Sequence, residues 1–97
     1  MKSLDLKEYS PVINSIEKAD EILKNIDAIL EKEIVEIDFE GIRFLSTNCS
    51  KHIFGHLFLE LGQEAFFDKV IIKNASNNVR VSINAGIESS ITDASDY

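Results

Sequence analysis

Between residues 15 and 33 the apolar positions Ile16, Ala19, Ile22, Leu23, Ile26, Ile29 and Leu30 recur at three- and four-residue intervals. That is the period of a helix burying one face. Asn14 followed by Glu17 has capping-box spacing, so a first helix is predicted over Ser15–Glu33, with Asn14 as its cap. The opposite face, which includes Glu17, Lys18, Asp20, Glu21, Lys24, Asp27 and Glu31, reads as a solvated surface. The pattern then changes. In "IVEIDF", Val35, Ile37 and Phe39 alternate with Glu36 and Asp38, the period of two expected of a strand.

After Gly41 the spacing becomes helical again from about Asn48 to Leu61, where Ile53, Phe54, Leu57, Phe58 and Leu61 form an apolar stripe and Gly62 supplies a stop. Upstream, Leu4 and Leu6 in "SLDLKEY" alternate with polar residues, enough for a short edge strand before Pro11. Downstream, "KVIIK" reads as a buried strand. The segment "SNNVRVSINAG" reads as a third helix capped by Ser76 and closed at Gly86, with strand as a rival because Val79, Val81 and Ile83 alternate. Strands alternating with helices predict an α/β fold: a small, mostly parallel sheet of three to four strands, with helices packed on it through right-handed crossovers.

Length allows one core, since the chain has 97 residues. Residues 1–87 are expected to form a single domain, and "ESSITDASDY", residues 88–97, an acidic flexible tail. The formal net charge of -7, with no Lys/Arg cluster interrupting it, argues against direct nucleic-acid binding and makes a basic protein partner easier to accommodate. Cys49 is the single cysteine, so no internal disulfide can form; with no signal-type apolar run at "MKSLDLKEYSP", a cytoplasmic location is expected. Every apolar run is far shorter than the roughly 20 residues a membrane helix needs.

Two constellations carry candidate chemistry. Cys49, His52, His56 and Glu60 are spaced by three, four and four, which on an α-helix places them side by side at the edge of the apolar stripe. Cys49, His52 and His56 could share a metal, yet structural zinc sites usually draw four ligands from two segments, and the chain offers no other His or Cys. Edge packing is the simpler expectation, with no metal and no cofactor. For catalysis Cys49 would be the nucleophile and a histidine its base, but nothing identifiable orients the base or forms an oxyanion site. Glu36 and Asp38 share a strand face without implying an acid-base pair. An enzyme is therefore not expected.

The second constellation is the turn "STNCS", in which Ser46, Thr47 or Asn48 can cap the helix that follows. Residues 34–61, read as "IDF", "EGI", "RFL" and "STNCS", resemble the STAS fold of anti-sigma factor antagonists, and more closely a STAS-like family of small bacterial and mobile-element proteins; the resemblance continues through "AFFDKVIIKNASNNVRVSINAGI". It implies a regulatory protein–protein docking module. In the antagonists the turn holds an Asp followed by a phosphorylatable Ser, at the start of a helix that docks on the partner kinase. Those positions fall here on Ser46 and Thr47, so the acceptor hydroxyl is kept and the acidic neighbour is lost.

Ser46, Thr47, Asn48 and Ser50 are thus the residues expected at a docking surface or phosphoacceptor site. The partners implied are a histidine-kinase-like ATPase or a transcription regulator, with a homodimer also possible. A competing reading is a small acidic inhibitor or decoy of a mobile element, acting on a basic target through its negative surface.

Overall fold

The computed structural model describes residues 1–95 and confirms the α/β class. Strand β1 (Lys2–Asp5) leads through a single 3-10 turn (Leu6–Glu8) to β2 (Val12–Ile13) and helix α1 (Ile16–Leu30). Then come β3 (Val35–Asp38), β4 (Phe44–Leu45) and a continuous helical rod, which starts as α2 (Thr47–Ser50), widens into a π turn (Lys51–Gly55) and ends as α3 (His56–Leu61). Helix α4 (Gln63–Lys69), strand β5 (Val70–Lys73) and helix α5 (Asn77–Ser95) complete it.

The main sheet is parallel throughout, in the order β1-β3-β5, with Leu4 beside Ile37 and Ile37 beside Ile72. The strands read in "IVEIDF" and "KVIIK" are therefore present, and they pair with each other in parallel. Its cause is the alternation already visible in the sequence: Val35, Ile37 and Val70 enter the core, while Glu36 turns to the other face, where it accepts from Ser3 Oγ at 2.8 Å and pairs with Lys73 Nζ at 3.7 Å. Asp38 joins the ends of β3 and β5, accepting from Asn74 Nδ2 at 3.0 Å and from the Glu40 amide at 2.9 Å. Those two bonds, the Asn74 side chain first, hold its carboxyl below the ordinary Asp range.

A second parallel pair, β2 with β4, is not visible in the sequence. It sets Ile13 beside Leu45, both buried, directly before the Ser-rich turn. The hydrophobic core is one cluster in which β3, α1, the helical rod and α5 all meet.

Several boundaries move. Ser15, rather than Asn14, caps α1: its backbone is extended and its Oγ accepts from the Lys18 amide. Residues 63–69, for which no helix was read, form α4; Phe66 is buried and Phe67 exposed. Between 76 and 86 the helix prevails over the strand, because Val79 and Ile83 are buried one turn apart while Val81 points outward. Ser76 caps it through the Val79 amide, as expected.

The helix does not close at Gly86. It runs on to Ser95, so residues 88–95 are helical instead of a frayed tail, and residues 96–97 lie outside the described residues. Gly86 is there for packing. A Cβ built on it would sit 2.3 Å from Ser50 Oγ and 2.6 Å from the Lys51 nitrogen, so only glycine lets α5 approach the helical rod this closely. Gly55 answers from the rod, facing Ser90 and the Gly86 carbonyl. Gly62 does end a helix, at φ 84 with open space around it.

Candidate functional site

The turn at 46–50 is built from below by the small second sheet. Ser46 donates its amide to the Ile13 carbonyl at 2.9 Å, which ties the start of the rod to β2. Its side chain is the N-cap, with Oγ accepting from the Cys49 amide at 3.1 Å. One of the orphan donors of the helix start is thereby satisfied. Thr47 and Asn48 are exposed, and among the described residues their side chains have no hydrogen-bond partner. They are held by rigid backbone with their side chains free.

Ser50 is not part of that surface. It is buried, with its Oγ donating to the Ile83 carbonyl at 3.3 Å across the contact with α5. Cys49 is likewise in the core, not at the edge of the stripe. The π turn explains the displacement: a wider turn advances less per residue than the 100° of an α-helix, so side chains on either side of it change their relative facing. Cys49 consequently joins Ile53 and Leu57 in the core, while His52 is half-buried and His56 exposed.

The histidines find acidic partners instead of the thiol. His52 Nε2 lies 3.2 Å from Asp20 Oδ1 on α1, and His56 Nε2 lies 2.7 Å from Glu60 Oε2 one turn along. Asp20 also pairs with Lys24 at 3.1 Å; the His52 bond, then Lys24, lowers its carboxyl below the ordinary Asp range. Nearby Asp27 moves the other way, raised first by partial burial and then by Glu60, with His56 offsetting part of the rise. Among the described residues no three His, Cys, Asp or Glu side chains converge as a metal site would require.

Asp20, His52 and His56 line a shallow cleft of about 480 Å³ at the side of the turn, together with Leu23, Asn48, Lys51 and Ser90. Lys51 reaches across to α5 as the ion-pair partner of Asp93. Asp20, Lys51 and Ser90 were not singled out from the sequence. Asp20 and Ser90 belong to elements distant along the chain, and no local pattern couples them to His52. The cleft is open, with charge-paired side chains around a lining that is more apolar than polar, and Cys49 beside it is buried.

A family profile described as a STAS-like domain of unknown function matches residues 18–80. The chain belongs to this STAS-like family. The match begins inside α1 and ends in the first turn of α5, so it covers the parallel β3–β5 pair, the turn and the whole rod. Comparison with curated proteins and with solved structures returns no match. Within the STAS-like segment, the resemblance carried by "IDF" and "STNCS" corresponds to a core strand of the sheet and to a capped helix start with two exposed positions. No helix among the described residues is long and apolar enough to cross a membrane.

Proposed function

We propose that this STAS-like domain is a non-catalytic regulatory module that docks on a partner protein through the turn at 46–48 and the cleft beside it. The observation that carries the proposal is the pairing of rigidity with vacancy: Ser46 fixes the helix start through both its amide and its Oγ, while Thr47 and Asn48 present unengaged side chains at its tip. Such a tip costs little conformational entropy to bind. The partner class that fits the family resemblance is a histidine-kinase-like ATPase or a transcription regulator. Thr47 is the proposed phosphoacceptor, because a phosphate at a helix N-terminus meets free backbone N–H groups and the positive end of the dipole.

The test separates stability from affinity. Thr47→Glu puts a carboxylate near the positive end of the rod, so its melting temperature is expected to stay close to that of wild type or rise slightly. At a docking contact the same charge must be desolvated without a matching cation, and affinity for the native partner is expected to fall. Thr47→Ala is expected to bind nearly as wild type does. Equal binding by all three proteins would refute docking at this turn.

A further inference from the structure

A groove of about 550 Å³ runs between α5, β5 and the aromatic cluster of Phe58, at the end of the rod, with Phe66 and Phe67 of α4. Apart from Met1, the two most exposed large apolar side chains of the described residues stand by it: Phe67, 64% exposed, lines it, and Val81, 66% exposed, lies on α5 beside its lining residues. The wall formed by α5 carries Arg80, Asn84, Ile87, Glu88 and Ile91, at the three- and four-residue spacings of one helix face. Arg80 and Glu88 are exposed, and among the described residues neither forms an ion pair. Arg80 donates from Nε to the Ala75 carbonyl only.

These two opposite charges stand four residues before and four residues after Asn84. If a second, identical α5 lies antiparallel across a two-fold axis at Asn84, Arg80 of each copy faces Glu88 of the other. Val81 of each then lies level with Ile87 of the other along the helix pair, so the protruding apolar side chain comes to the rim of the interface. A face that satisfies its own charges under a two-fold rotation is the requirement of an isologous interface. The chain's net charge of -7 opposes association of two copies in general, which makes a locally balanced patch the place where they can meet. We propose that this groove is a homodimer interface, with α5 packed antiparallel on α5 of a second copy. The surface lies apart from the turn at 46–48, so its test is independent of the docking module.

The experiment uses the full chain alone, by sedimentation equilibrium from micromolar to millimolar concentration. Wild type is expected to self-associate. Arg80→Glu and Glu88→Arg are each expected to weaken self-association about tenfold, because each sets like charges together at both symmetric contacts. Mixed one to one, the two variants are expected to recover dimer as a heterodimer, since the two carboxylates on α5 of one copy then face the two guanidinium groups on α5 of the other. Circular dichroism checks that each variant is folded.

Cross-linking gives a second measurement that depends on no charge reversal. Asn84→Cys lies on the proposed axis, and a thiol-specific oxidant, which accepts the two electrons as the thiols lose their protons, is expected to convert it to a covalent dimer. Asn77→Cys is the control: its two copies would lie about 21 Å apart along the helix pair, beyond disulfide reach. A wild type that stays monomeric throughout the range overturns the interface and leaves the groove to a different occupant. So does a dimer indifferent to both charge reversals, or an Asn77→Cys variant that cross-links as readily as Asn84→Cys.

Discussion

Replacing Gly86 with alanine sets two well-measured tendencies against each other. In an exposed helix interior the change should stabilise the protein by about 1 kcal/mol, because glycine carries the larger backbone entropy. Here the new methyl would lie 2.3 Å from Ser50 Oγ, 2.6 Å from the Lys51 nitrogen and 2.6 Å from the Ser50 carbonyl carbon. Ser50 Oγ could rotate away, at the cost of its buried bond to the Ile83 carbonyl, worth about 1 kcal/mol. The other two atoms are backbone of the rod and cannot rotate away.

To restore ordinary contact α5 has to move outward, and overpacking of this kind costs about 1–3 kcal/mol. Adding the lost bond and subtracting the propensity gain leaves a net destabilisation of about 2 kcal/mol, which for a domain of this size is a fall in Tm on the order of 10 °C. Thermal and urea unfolding followed by circular dichroism measure it. A Gly86→Ala protein as stable as wild type, or more so, would refute the close approach of α5 to the rod. Gly86 would then have to act only as a conformational weak point.

Gly55→Ala presses on the same contact from the rod, with Ser90 Oγ 2.0 Å and Ser90 Cβ 2.9 Å from the new methyl, so Ser90→Gly is expected to recover part of its loss; strictly additive costs in a double-mutant cycle would contradict the contact. Asp27→Asn is expected to stabilise the protein at neutral pH by a few tenths of a kcal/mol, since Asp27 sits in the last turn of α1 at the negative end of its dipole. Its carboxyl is raised above the ordinary value of 3.8 by partial burial and Glu60, so the advantage should be complete above the folded-state pKa and vanish as pH falls below 3.8; an advantage that persists there would exclude a charge effect.

The parallel frame was legible because its signal is local. Val35 and Ile37 alternate with Glu36 and Asp38, and the run Val70 to Ile72 is apolar, so the period announces both strands, and the helical segment between them requires parallel pairing. Strands β2 and β4 pair through two residues each, too few to establish any period, yet they anchor the turn at 46–50 through Ile13 and Ser46. Gly86 misleads for another reason. A glycine that ends a helix and one that lets a second helix approach look identical in sequence, and only Ser50 on the facing element tells them apart. That the turn caps a helix could be read from its residues, but not that Ser46 is the cap and Thr47 and Asn48 the exposed pair. The burial of Cys49 could not be read either, because it depends on a π turn that the residue spacing does not signal, whereas Ser50, four residues before Phe54 and seven before Leu57, already falls within the apolar stripe at ordinary helical spacing. Asp20 at His52 is a contact across 32 positions, and no helical wheel contains it.

Helix α5 links the two surfaces proposed for this domain. Its inner face, through Val79, Ile83, Gly86 and Ser90, is seated on the rod that begins at the turn, and its outer face carries Arg80, Asn84 and Glu88. The inner contact has little slack, since glycines face it from both sides and backbone meets backbone. A partner that shifts the rod at Thr47 must therefore either carry α5 along or break the contact at Ser50, and close-packed interiors favour the first, transmitting displacement instead of absorbing it. In a dimer joined along α5, the two docking turns would then be held on one stiff frame. Occupancy of one turn would be felt at the interface, and by linkage dimerisation would change partner affinity by the same factor. Arg80 is remote from the turn in the chain and its one side-chain hydrogen bond among the described residues goes to the Ala75 carbonyl, so a change in partner affinity in Arg80→Glu would show the coupling.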